Sequence, residues 1–140
     1  MTKELRHIDW KMFEALCIDL SETIEMMNYK YEYIFGIPRG GLVPATMLSH
    51  LLEIPMITNL YDYKINEDTT VLIVDDIVDS GSTMECYHRY DTAAVFWKNE
   101  LSKGPQYCAE HAKTDEWIVF PWEQQTSDSI SKVNLEEAHG

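Results

Sequence analysis

One string constrains this chain more than any other: Val71-Leu72-Ile73-Val74 running directly into Asp75-Asp76-Ile77-Val78-Asp79-Ser80-Gly81-Ser82-Thr83. Four successive apolar residues leave no polar face for water, so a strand built from them is covered on both sides, as in a parallel sheet flanked by helices. Three carboxylates, Asp75, Asp76 and Asp79, then fall within five residues. They would repel one another unless something positive or hydroxylated lay between them, which points to a metal or a sugar. Immediately afterwards Ser80, Gly81, Ser82 and Thr83 open a helix, where free backbone N–H groups and three hydroxyls favour an anion. Acid followed by an anion cradle suggests a ribose phosphate.

The rest of the chain alternates in the same way. Phe13, Leu16, Cys17, Leu20, Ile24 and Met27 recur at steps of three and four, predicting an amphipathic helix over residues 9–27 with Asp9 as its N-cap. Tyr33 to Ile37 reads as a strand closed by Pro38-Arg39-Gly40-Gly41, and Leu42 to Leu52 as the helix that follows. Strands are then expected at Ile54 to Leu60, at Val71 to Val74, at Ala93 to Trp97 and, briefly, at Trp117 to Phe120, with a helix from Ser82 to Tyr90. The class is α/β, with a doubly wound, mainly parallel sheet of about five strands flanked by helices. Ligands of such sheets bind beyond the carboxyl ends of the strands, where the loops just described lie.

The chain has 140 residues without an internal repeat or low-complexity tract, so a single domain over 1–140 is expected, with residues 124–140 as a polar C-terminal tail. Twenty-four acidic against 11 basic side chains give a net charge of −13, which argues against nucleic acid or an anionic membrane as partner and favours a small molecule. The N-terminus, with Glu4, Asp9 and Glu14, lacks the apolar core of a signal peptide, and a cytoplasmic location is expected. Three cysteines, Cys17, Cys86 and Cys108, form no C-x-x-C pair, so reduced thiols are the default. Cys86 with His88 and Cys108 with His111 fit no standard zinc spacing.

Val71 to Thr83, four hydrophobics, two acids and a final Asp-Ser-Gly-x-Thr, resembles the signature by which type I phosphoribosyltransferases bind phosphoribosyl pyrophosphate (PRPP). The resemblance implies that Asp75 and Asp76 contact the ribose hydroxyls, directly or through Mg²⁺ and its waters. It implies that Asp79, Ser80, Gly81, Ser82 and Thr83 hold the 5′-phosphate, and that Asp79 is the catalytic acid/base residue. In the loop Pro38-Arg39-Gly40-Gly41, two glycines allow a backbone to approach an oxyanion closely, and Arg39 is one of only three basic residues between positions 31 and 97. Arg39 to Pro44 reads Arg-Gly-Gly-Leu-Val-Pro, which is similar to the pyrophosphate loop of the xanthine-guanine members and implies that Arg39, Gly40 and Gly41 bind pyrophosphate. Lys98 directly follows the strand Ala93 to Trp97, and the segment Trp117-Ile118-Val119-Phe120-Pro121-Trp122-Glu123 begins nineteen positions later. In the 6-oxopurine members these positions hold the base, which assigns Lys98 to the purine 6-oxo group and Trp117 and Ile118 to the base contact.

The resemblance spans roughly residues 30–123 and implies an Mg²⁺-dependent transfer of 5-phosphoribose from PRPP to guanine, xanthine or hypoxanthine, releasing pyrophosphate. A homo-oligomer, dimer or tetramer, is expected, although quaternary structure does not carry over with the resemblance. The chain departs from the family after Tyr61-Asp62, where only eight residues precede Val71, so the lid over PRPP and hence the hood are reduced. Two alternatives stand beside this reading. One is a transferase of the same fold acting on a pyrimidine, and the other a PRPP-binding regulator without turnover, which would ordinarily need a basic nucleic-acid surface.

Overall fold

A computed structural model describes residues 4–62, 64–98 and 103–123. Along these residues run β1 (Glu4–His7), α1 (Trp10–Met26), β2 (Tyr33–Gly36), α2 (Leu42–Leu52), β3 (Met56–Ile57), β4 (Val71–Val78), α3 (Ser82–Cys86), β5 (Asp91–Trp97), β6 (Tyr107–His111) and β7 (Glu116–Val119). Five strands form one parallel sheet in the order β3-β2-β4-β5-β6, while β1 and β7 pair with each other in a separate parallel ribbon.

The apolar run of β4 is the centre of this arrangement. Leu72 and Val74 pack with Leu20 and Ile24 of α1 and Ala45 and Leu48 of α2. Val71 and Ile73, pointing the other way, pack with Phe35, Tyr87 and Tyr90. Both faces of the strand are therefore covered, which is why it carries no polar alternation. Asp9 caps α1 as expected, its Oδ1 accepting a hydrogen bond from Met12 N at 2.7 Å. Pro44 falls in the first turn of α2, where its missing N–H has no helical partner to lose.

The chain leaves β2 through α2 toward β3 at one edge, and leaves β4 through α3 toward β5 on the other side. The loops after β2 and β4 therefore meet at the switch point of the sheet. β2 ends at Gly36, opposite Val74, whereas β4 continues beside β5 with Asp75 opposite Ala94 and Val78 opposite Trp97. The paired acids thus lie within β4 itself, on the part that projects past its neighbour.

Several elements differ from the sequence reading. The strand expected over Val71 to Val74 runs on to Val78, because β5 pairs with it that far, so Asp75 and Asp76 lie in the strand and not in the loop after it. The strand expected over Ile54 to Leu60 shrinks to Met56–Ile57: it is an edge strand, and Asn59 bends the chain away by accepting the Tyr61 N–H at 2.9 Å. The helix expected to reach Tyr90 ends at Cys86 and passes into turns. Trp117 to Phe120 is not a strand of the main sheet, because Glu116–Val119 pairs with the unforeseen β1. The fifth strand is instead β6, whose sequence Tyr-Cys-Ala-Glu-His has no apolar run because it has only one neighbour in the sheet. Its start is held by side chains: the Tyr107 and Tyr31 hydroxyls are 2.7 Å apart, and Tyr31 donates to Asp91 at 2.6 Å.

Candidate active site

The loop after β2 is pinned to the sheet by its backbone. Ile37 N donates to Val74 O at 2.9 Å, Gly41 N closes back on Ile37 O at 2.9 Å, and the Pro38–Arg39 peptide bond is cis. Gly40 lies directly against the Asp76 carboxylate, so that a Cβ there would collide with it, and a Cβ on Gly41 would stand 2.5 Å from Val74 O. At Gly41 the close approach of backbone requires glycine, whereas a side chain at position 40 would have to displace the Asp76 carboxylate. Arg39, between them and Pro38, is exposed.

Asp75 and Asp76 are half-buried and adjacent. Asp75 Oδ1 accepts from Asp76 N at 2.9 Å, and Asp76 Oδ1 from Ile77 N at 2.8 Å. Burial pushes the Asp75 carboxyl up to about 8, with the neighbouring Asp76 charge adding to it, and burial likewise raises Asp76. Beyond them the chain turns at Gly81, whose φ of 84° is open to glycine at little cost. Ser80 Oγ accepts from Ser82 N at 3.3 Å, and the side chains of Ser80, Ser82 and Thr83 face solvent. This loop is a solvent-exposed turn carrying three hydroxyls, and it follows directly on the strand that bears the paired acids.

Lys98 closes the site on the β5 side. Its backbone N–H donates to Val78 O at 2.8 Å, and its side chain is almost fully buried. Lys98 Nζ reaches 3.9 Å from Asp79 Oδ2 and sits 5.2 Å from the centroid of the Trp117 ring. Three residues from three different segments of the chain thus converge. A cation, a carboxylate and an aromatic face within this distance can grip a flat, polar heterocycle: the ring stacks, the ammonium donates, and the carboxylate accepts a proton. Ile118 stands apart, since its side chain is buried in the core with Phe13 and Phe96 and only its backbone is left for a ligand.

Sequence reasoning missed Arg6 on β1, which pairs with Glu110 and Glu116 and lies over Phe96. No local signal could have found it, because its partners lie ninety or more positions further along the chain. The Cys108 Sγ and His111 Nε2 atoms are 3.8 Å apart, and among the described residues no three His, Cys, Asp or Glu side chains gather as metal ligands. Nor is any helix among them long and apolar enough to cross a membrane.

The sheet order and the acid-rich strand ending at the switch point define the fold of type I phosphoribosyltransferases. The chain resembles the purine phosphoribosyltransferase of Pyrococcus horikoshii Ot3 with a TM-score of 0.70 and 28% identity, covering 87% of this chain and 95% of that one. A hypothetical protein from Neisseria gonorrhoeae, solved with bound ppGpp, shares the fold over 100% of this chain and 99% of its own, at a TM-score of 0.76 and 23% identity. No protein-family model matches the chain. In sequence it is 32% identical to the xanthine-guanine phosphoribosyltransferase of Vibrio parahaemolyticus, over 83% of this chain and 87% of that protein. The chain belongs to the xanthine-guanine phosphoribosyltransferase family and is an enzyme of the phosphoribosyltransferase class.

Proposed function

We propose that this enzyme transfers 5-phosphoribose from PRPP to a 6-oxopurine (guanine, xanthine or hypoxanthine), giving the nucleoside 5′-monophosphate and pyrophosphate. The observation that carries this reading is the convergence of Asp79, Lys98 and Trp117 beside the hydroxyl-lined loop. Trp117 offers a ring face to stack on the purine, and Lys98 an ammonium to donate to its 6-oxo oxygen. The C1′–oxygen bond to pyrophosphate breaks and a C1′–nitrogen bond to the imidazole ring of the base forms. The proton released from that ring passes to Asp79. Ser80 to Thr83 would hold the 5′-phosphate through their hydroxyls and backbone amides. The backbone of Gly40 and Gly41, with the Arg39 guanidinium, would take the charge growing on the leaving pyrophosphate.

Asp75 and Asp76 supply the hard carboxylate oxygens that Mg²⁺ favours, and their raised proton affinity is what a divalent cation or a pair of ribose hydroxyls would offset. When bound there, Mg²⁺ would neutralise phosphate charge and orient PRPP. A homo-oligomer is a separate part of this proposal, and light scattering on the purified chain tests it.

The base assignment is tested by Lys98→Ala. Losing a charged hydrogen bond in a closed site costs about 1.5 to 3 kcal/mol, or roughly one to two decades in kcat/KM. That loss should fall on guanine and hypoxanthine and spare adenine, whose 6-amino group cannot accept the bond. Trp117→Ala should weaken all purines alike. An unchanged guanine-to-adenine ratio in Lys98→Ala would return the choice to a pyrimidine substrate.

A further inference from the structure

Trp117 is carried by a ribbon with little stability of its own. Two strands of four residues, paired in parallel, cannot hold a fixed position in water without packing on something else. The carboxyl end of this ribbon is anchored, since Ile8, Ile118 and Phe120 are buried with Phe13 and Phe96. Its amino end carries Trp117, opposite the partly exposed Leu5, and there the apolar anchoring stops. The amino end is also electrostatically unfavourable: Glu4 lies directly opposite Glu116 across the pair, two like charges in register.

Arg6 answers both problems. It is paired with Ile118 in the ribbon, on the side that meets the body of the protein. Its guanidinium carbon lies 5.5 Å from the centroid of the Phe96 ring on β5. Nη1 pairs with Glu110 of β6, the edge strand of the main sheet, and lies 3.7 Å from Glu116 Oε2 on β7, one residue before Trp117. One side chain, rooted opposite the anchored Ile118, therefore ties β1, β5, β6 and β7 together and reaches Glu116 at the free end of the ribbon.

We propose that Arg6 is a positioning residue for the base: its clamp on Glu110, Glu116 and Phe96 sets the gap between Trp117 and Lys98. This inference rests on the proposed role of Trp117 and Lys98 as the base site. Arg6 and Glu110 side chains are both 37% exposed, so the ion pair contributes little to global stability. Its effect is local, on where the ribbon stands.

The test compares Arg6→Met, which keeps the apolar stem over Phe96 but not the charge, with Glu110→Gln, Arg6→Lys and Trp117→Ala, each assayed with PRPP and guanine. In Arg6→Met and Glu110→Gln, KM for the base should rise about three- to tenfold while kcat and KM for PRPP stay within about twofold. Arg6→Lys should recover most of the loss. If Trp117→Ala raises the base KM and neither Arg6→Met nor Glu110→Gln does, the clamp is refuted and the base site stands. If the melting temperature, kcat and both KM values deteriorate together in Arg6→Met and in Glu110→Gln, Arg6 is only structural and the inference is likewise overturned. An unchanged base KM in Trp117→Ala would remove the base site and this inference with it.

Discussion

Asp79 and its neighbours Asp75 and Asp76 belong to one acidic string yet have different surroundings. Asp79 is 44% exposed and faces the Lys98 ammonium, so it can meet a substrate proton. Asp79→Asn keeps a hydrogen-bonding amide but cannot take that proton. Turnover should therefore fall about 100- to 10,000-fold while PRPP affinity measured by calorimetry changes little. Asp75 and Asp76 are held against burial, and the folded protein binds protons at these carboxyls more tightly than the unfolded chain does. Such groups favour the fold at low pH and lose that contribution as pH rises from the unfolded carboxylate value near 4 toward the raised value of about 8 at Asp75. Asp75→Asn should thus melt higher than the parent at pH 8, with a flatter decline between about pH 4 and pH 8 in thermal scans, and should lose activity. A variant that melted lower at pH 8 would contradict the buried-charge account. These acids were legible in the sequence because their spacing alone demanded a counter-group. The 3.9 Å approach of Lys98 to Asp79 was not, since it depends on β4 and β5 running side by side.

Elements that bury a regular apolar pattern were readable, and those held by pairing were not. Over α1, five apolar positions at helical spacing (Phe13, Leu16, Cys17, Leu20 and Ile24) and the Asp9 cap marked both the helix and its start, while Met27 lies just past its end and is exposed. Removing that cap in Asp9→Ala should cost about 1 kcal/mol and lower the melting temperature by roughly 4 °C, without altering KM for either substrate. The ribbon strand β1 offers no such pattern: Glu-Leu-Arg-His becomes a strand only because β7 supplies its backbone partners and Glu110 and Glu116 its charges. β6 was missed for a related reason, its start being fixed by the Tyr31, Asp91 and Tyr107 hydrogen bonds across the sheet. The strand over Ile54 to Leu60 was overestimated because hydrophobicity says nothing of where an edge strand bends away.

At the scale of the whole molecule, a net charge of −13 repels phosphorylated ligands, so they must be captured by local amides, hydroxyls and a few cations at the switch point. The sheet order concentrates those groups by bringing the Gly40-Gly41 turn, the paired acids and the Asp79 to Thr83 loop to one end of β2 and β4. The most direct measurement is pyrophosphate release from PRPP and Mg²⁺ by the purified protein with guanine, xanthine, hypoxanthine, adenine, orotate and uracil offered separately. The account predicts release with one or more of the three 6-oxopurines and little with adenine or either pyrimidine. Turnover confined to orotate or uracil, or tight PRPP binding with no release for any base, would contradict it.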